Sequence, residues 1–328
     1  MTDAYIVGAV RSAGGKKNGR LSKIHPIDLA AEVVDALVAK TGVAVSEIDD
    51  LIFGCVSQVG AQSSNIARNI CLSSVLGEVV PGTTVDRQCG SGQQAMHFAA
   101  QGVLSGTQDL VIAGGVESMS QVPIGANIID GYKAEHGLPY GKKMSERYPG
   151  VQFNQFAGAE MLAHKYELTQ NELNAFAFDS HVKAKRAVLE GRFKDEIVAI
   201  QIELEDGTTE SHEQDEGIRM DATLGAIAGL QPLQENGLLS AANASQICDG
   251  AAAVMIANGA TCKRLGLKPL ARIVAMSVIG SDPVIMLEGP IPATKKVLEK
   301  ANLSVDDIDL FEVNEAFGSV PLAWVKAL

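Results

Sequence analysis

The feature that most constrains the fold is a short internal repeat. Val45-Ser46-Glu47-Ile48-Asp49 matches Val305-Asp306-Asp307-Ile308-Asp309 without gaps, at an offset of 260 residues. Each copy follows a helical pattern (28–40 and 293–300) and precedes an apolar, strand-like run (51–53 and 311–313). A helix–loop–strand unit that recurs at this range predicts a duplicated α/β domain. Carried forward by the same offset, the counterpart of Cys89 falls at position 349, beyond Leu328. The expectation is therefore an incomplete second half, closing on the start of a helix at 318–328.

In the first half, strand-like runs at 5–10, 51–56, 83–85 and 109–113 alternate with helical patterns at 28–40, 65–76 and 95–104. That rhythm predicts a mostly parallel, covered sheet, with ligand sites beyond the carboxyl ends of the strands. Cys89, Gly114 and Glu117 all fall at that edge. With 33 glycines and only 5% aromatics in a chain 46% hydrophobic, tightly packed layers are expected. From 121 the rhythm lapses: 121–155 has no period, 156–190 is helical, and 203–217 is acidic and polar. An insertion of this length reads as a functional loop region over the active edge. After Gly250 the alternation resumes, with an apolar run at 251–257, strands at 271–278 and 310–313, and a helix between them. The expected domains are an N-terminal α/β half at 1–120, an inserted loop domain at 121–249 and a C-terminal α/β half at 250–328.

A net charge of −12 argues against nucleic acid and anionic membrane as partners, though an acidic ligand in a local basic groove stays open. Five cysteines without paired spacing point to a reducing compartment, and the lack of any C-x-x-C leaves no zinc or other metal site expected. The N-terminus shows no basic and apolar leader, and no run approaches the ~20 apolar residues of a membrane span. The reading is cytoplasmic. The basic, glycine-rich loop 11–17 lacks the Gly-Lys-Ser/Thr ending of a phosphate loop and is read as structural.

Chemistry concentrates at Val85-Asp86-Arg87-Gln88-Cys89-Gly90-Ser91-Gly92. A short strand runs into a cysteine, two glycines follow, and a helix begins. A thiol at such a turn lies near the positive end of a helix dipole, which favours thiolate and makes sulfur nucleophilic. Glycines at the turn would let a substrate carbonyl approach backbone N–H groups able to hold an oxyanion. The competing reading is a buried, inert cysteine.

Five segments together resemble the thiolase family of acyl-CoA acyltransferases. They are Asp86-Arg87-Gln88-Cys89-Gly90-Ser91-Gly92, Gly114-Gly115-Val116-Glu117-Ser118-Met119-Ser120, Asp215-Glu216-Gly217-Ile218-Arg219, the run from Asn243-Ala244-Ser245 to Ala253, and Asn314-Glu315-Ala316-Phe317. The resemblance implies a fold of two similar α/β halves with a loop domain inserted in the first. It implies that Cys89 takes an acyl group from acyl-CoA as a thioester and that a second acyl-CoA or free CoA receives it. Asn314 would position an oxyanion-hole water, against a competing reading as a helix cap. Arg219 and Ser245 would contact CoA. No permanently bound cofactor is implied; coenzyme A and acyl-CoA are substrates, and the family assembles as homodimers or homotetramers.

The chain also departs from the family pattern. The activating histidine of a Gly-His-Pro motif and the acid/base cysteine of a Cys-x-Gly motif, both expected after the asparagine motif, do not occur in these 328 residues. All six histidines precede Asn314, and Cys248 and Cys262 read as buried small residues. Little turnover is expected of this chain by itself. The stretch Asn154-Gln155-Phe156, followed by Gly158-Ala159-Glu160-Met161, departs from the His-Met-Gly form of biosynthetic members and resembles degradative thiolases acting on bulkier 3-ketoacyl-CoA. Two alternatives stand beside thiolase: a non-catalytic thiolase-like protein that binds acyl-CoA or a partner, and a condensing enzyme of the ketoacyl-synthase type.

Overall fold

A computed structural model describes residues 3–204 and 206–328. In chain order the strands are β1 (Ala4–Ser12), β2 (Gly15–Lys16), β3 (Asp50–Gly54), β4 (Gly82–Val85), β5 (Leu110–Ser118), β6 (Ile197–Val198), β7 (Ile200–Glu203), β8 (Thr209–His212), β9 (Cys248–Asn258) and β10 (Ala271–Arg272). The helices are α1 (Pro26–Thr41), α2 (Ile66–Ser73), α3 (Ser91–Ser105), α4 (Ala126–Lys133), α5 (Lys142–Arg147), α6 (Gln155–Lys165), α7 (Gln170–Leu189), α8 (Leu224–Ala228), α9 (Gly259–Leu265), α10 (Pro290–Ala301) and α11 (Ser319–Ala327). The chain divides into two compact units. The first holds residues 1–139, 191–217 and 247–273; the second holds 140–190, 218–246 and 274–328.

The first unit is built on one sheet of order β10-β1-β9-β5-β3-β4. β3 pairs in parallel with both β4 and β5, as the strand–helix alternation predicts. β9 enters from far along the chain and lies antiparallel between β1 and β5. The sheet is thus mixed, and its long-range strand is the one that sequence rhythm alone could not place. Central position explains composition: Leu110, Val111, Ile112 and Ala113 of β5 are all fully buried. The backbones here approach too closely for side chains. A Cβ on Gly114 would strike Ala252 O and would lie 2.8 Å from the Phe53 ring.

α1 covers the sheet with Leu29, Val33 and Leu37, one apolar stripe at i, i+4, i+8. It starts two residues before the expected Asp28. Pro26 takes the first helical position, and His25 Nδ1 accepts from Ile27 N at 3.3 Å. Gly42 ends it in the left-handed region at φ 67°. The stretch 11–17, read as a structural loop, ends β1 at Ser12 and forms β2 at Gly15–Lys16. Asp215 accepts from both Arg11 guanidinium nitrogens (2.7 and 3.0 Å) and from Gly14 N (2.7 Å). Glu216 Oε2 accepts from Lys16 N and Arg20 N at 3.2 and 3.0 Å. Burial pushes the Asp215 carboxyl up, but its Arg11 and Gly14 hydrogen bonds pull it below its ordinary range overall.

The second unit is helical. α6, α7 and α11 bury Leu162, Leu173, Val320 and Ala323 in its core. The repeat reappears here in three dimensions. α10 ends at Asn302 with φ 56°, the counterpart of Gly42 at the 260-residue offset. Each cap leads into a three-residue 3-10 turn, Val45–Glu47 in one copy and Val305–Asp307 in the other. Beyond that point the copies differ. Residues 50–54 form a strand, but 309–314 form none, and of 271–278 only Ala271–Arg272 is in a sheet. A strand exists only where a neighbour completes its ladder. Among the described residues, 310–313 have no such neighbour, and Leu310 is left 89% exposed.

Candidate active site

Cys89 occupies the turn from β4 into α3, two residues before the helix starts. Gln88 adopts a left-handed backbone at φ 49°, uncommon for a residue with a side chain. Local hydrogen bonds hold it. Gln88 N donates to Asp86 Oδ1 (2.8 Å), Gly90 N to Arg87 O (3.1 Å) and Ser91 N to Gln88 O (3.0 Å). The Ser91 hydroxyl accepts from Arg87 N (2.8 Å) and donates to Gln88 O (2.6 Å). The amides of Gly90 and Ser91 are therefore used inside the turn. The amide of Cys89 has no hydrogen-bond partner among the described residues, and the residue is exposed. Gly92 contributes by packing, its Cα side facing the carbonyl of Gly114. The glycine that the turn requires most is Gly54. A Cβ there would lie 2.5 Å from Gly92 N, against the backbone that carries the thiol.

Glu117 fixes the loop that follows β3. Its carboxylate accepts from Val56 N (2.8 Å), Ser57 N (3.1 Å) and Gln62 Nε2 (2.8 Å), while Gln62 Oε1 accepts from Ser118 N (2.6 Å). The other four thiols are shifted by their surroundings. Burial, then Glu117 and Asp86, push Cys55 up to about 12. Burial pushes Cys71 up to about 11 and raises Cys262 as well. Cys248 was expected to be a buried residue and is instead exposed; burial of its sulfur and the nearby Asp249 and Glu117 raise its pKa. These four are held towards the unreactive thiol.

The other candidate residues lie in the second unit, and two motifs are stitched together there. Ser245 N donates to Ala316 O (2.9 Å), Gly318 N donates to Asn243 O (2.7 Å), and Ala244 bridges Phe317 antiparallel. Ser245 and Glu315 line a cavity of about 260 Å³, together with Ser180, His181 and Asn243. Ser180 Oγ donates to Glu315 Oε2 at 2.9 Å. Arg219 N donates to His181 Nδ1 at 3.2 Å, and the Arg219 guanidinium has no ion pair among the described residues. Asn314 is exposed in irregular backbone. It is not a helix cap, because α11 begins at Ser319 behind Gly318.

Sequence reasoning missed Ser180 and His181, which sit unmarked in the long polar helix α7. It also missed the role of Glu160, whose carboxylate accepts from Leu238 N (3.0 and 3.1 Å) and Leu239 N (2.9 Å). Among the described residues no group of three or more His, Cys, Asp or Glu side chains could hold a metal ion. Among the described residues no helix is long and apolar enough to cross a membrane.

The fold and the cysteine turn define a class. Residues 4–260 match the thiolase N-terminal domain and residues 267–328 the thiolase C-terminal domain. The chain belongs to the thiolase family and is an enzyme that transfers acyl groups between acyl-CoA and CoA. Among its relatives is the steroid 3-ketoacyl-CoA thiolase FadA6 of Mycobacterium tuberculosis, 44% identical over 330 residues, covering 100% of this chain and 80% of that protein. A 3-ketoacyl-CoA thiolase of Psychrobacter cryohalolentis is 39% identical over 99% of this chain and 82% of its own length. The crystal structure of the Bacillus anthracis acetyl-CoA acetyltransferase superposes with a TM-score of 0.89 at 37% identity, covering 99% of this chain and 83% of that one.

Proposed function

We propose that Cys89 is the nucleophile and that the protein works in the degradative direction on 3-ketoacyl-CoA. Cys89 Sγ attacks the 3-keto carbonyl, and the Cys89 amide donates to the oxygen as it gains charge. The bond between C2 and C3 then breaks. Its electron pair leaves as the enolate of acetyl-CoA, which takes a proton, and the shortened acyl group stays on sulfur until the thiol of CoA removes it. Asn314, whose side chain is exposed and uncapped, orients a water toward the enolate oxygen. Arg219 takes a phosphate of the CoA nucleotide, and the Ser245 hydroxyl makes a polar contact with the bound CoA. In this reading the 121–249 insertion supplies the CoA contacts.

One observation carries the assignment: an exposed thiol with an unused amide, on a left-handed turn immediately before a helix. The substrate class rests on Asn154-Gln155-Phe156. Asn154 caps α6, and the Phe156 ring meets Phe317 edge-on with centroids 5.3 Å apart. The 3-ketoacyl-CoA relatives point the same way. We place the protein in the cytoplasm as a homodimer or homotetramer: the five free cysteines fit a reducing compartment, and light scattering on the eluted protein tests the assembly.

The test of the nucleophile is direct. The protein is incubated with a short-chain acyl-CoA and digested, and its peptides are weighed. The acyl mass should appear on the peptide carrying Cys89 and vanish in Cys89→Ser. An adduct on any other cysteine overturns the assignment. Rates of thiolysis on acetoacetyl-CoA against longer 3-ketoacyl-CoA should favour the longer substrate.

A further inference from the structure

Adjacent residues of α7 hold two separate functional segments. Ser180 binds Glu315, the neighbour of Asn314, and His181 binds the backbone of Arg219. Ser180, His181 and Glu315 line the cavity that contains Ser245, and Arg219 joins it through His181. Arg219 and Met220 are exposed, and besides the His181 bond the segment is held by Ala222 N to Arg219 O at 3.2 Å and Lys185 Nζ to Met220 O at 2.6 Å. An imidazole nitrogen accepts a hydrogen bond only while it is unprotonated. The bond from Arg219 N therefore requires His181 to be neutral, with its proton on Nε2.

We propose that His181 is a positioning residue for CoA: from the cavity wall its neutral Nδ1 anchors the Arg219 amide, and protonation releases it. The inference rests on the reading of Arg219 as a CoA contact. The charged groups that act on the ring are Arg219, from the following loop, and Glu315, from the asparagine motif. On α7 itself Asp179 and Lys183 pair with each other, and Lys185 is engaged with Met220 O. Burial of the ring, then Arg219, lower the pKa of His181, and Glu315 opposes them without reversing the shift. The anchor is therefore in place at neutral pH and is lost only in acid, as pH falls through the lowered value. Protonation does two things at once: it removes the acceptor and places a cation beside Arg219.

The experiment is calorimetric titration of CoA into the 328-residue protein at pH 8 and pH 5, for wild type, His181→Asn and His181→Leu. Asparagine puts an amide oxygen near the position of Nδ1 and does not titrate. Wild type should bind tightly at pH 8 and lose affinity at pH 5. His181→Asn should bind within about twofold of wild type at pH 8 and keep that advantage at pH 5. His181→Leu should be weaker at both, by about fivefold, the size of one ordinary hydrogen bond. Titration of the CoA phosphates is common to all three proteins and cancels in the comparison. If His181→Asn falls with pH as steeply as wild type, the proposal is overturned while CoA binding stands. If wild type shows no saturable CoA binding at pH 8, the reading of Arg219 fails and takes the proposal with it. Should His181→Leu not fold, as its far-UV spectrum would show, the comparison of wild type with His181→Asn decides alone.

Discussion

At the scale of single residues, chemistry here is set by what is left out. Gly54 ends β3 directly beneath the start of α3, and a methyl group there would press on the amide of Gly92. Those neighbours are backbone and cannot swing aside. Gly54→Ala should cost about 1–3 kcal/mol, toward the upper end, as overpacking against fixed atoms does. A urea melt should show the loss, and acylation of Cys89 should slow with it because the turn carrying the thiol is displaced. The same scale shows what sequence could reveal about the site. The turn that exposes Cys89 was legible because a strand running into a cysteine, paired glycines and a helix is a local pattern that needs no distant partner. Glu117 was placed at the correct edge, but its hold on Val56, Ser57 and Gln62 depends on residues about sixty positions away. Ser180 and His181 were invisible, since they lie among other polar residues on a helix whose periodicity marks only its buried face.

At the scale of elements, the repeat is the clearest test of local rules. Gly42 and Asn302 end equivalent helices in the same left-handed conformation. Asparagine tolerates that region and glycine favours it, whereas a Cβ-bearing residue without a local hydrogen bond does not. Asn302→Ala should therefore cost about 1 kcal/mol in thermal or chemical melts, and Asn302→Gly should be neutral or slightly stabilising. Equal melts for the two substitutions would contradict the assignment of the cap. The two helices were legible because their hydrogen bonds are internal, although the first begins at Pro26 and not at the expected Asp28. The expected strand at 310–313 was not realised for the opposite reason. Its residues have strand propensity, but a strand's bonds belong to its neighbours, and propensity cannot supply them. The antiparallel insertion of β9 was hidden likewise: its apolar run is visible, while its direction is set by partners β1 and β5 on either side.

At the scale of the whole molecule, apolar groups stand exposed along the unpaired segments. Leu310 is 89% exposed and Val274 59%, and Phe311 and Val278 are exposed as well. Surfaces of this kind recruit dyes and other chains. The 328-residue protein should bind a hydrophobic dye in its folded state and associate as its concentration rises. Leu310→Lys should reduce both without lowering the melting temperature. An unchanged dye signal in that variant would place the sticky surface elsewhere.

The placement of β9 has a consequence for how the protein is made. By the time Ser118 has been joined to the chain, β1, β3, β4, β5 and the thiol-bearing turn all exist, yet β1 and β5 share no ladder, since the strand that separates them ends at Asn258. At the ~5–20 residues per second of translation, that wait lasts on the order of ten seconds. Through this interval the nascent chain carries the Cys89 turn on an unfinished sheet, with the facing edges of β1 and β5 both unpaired.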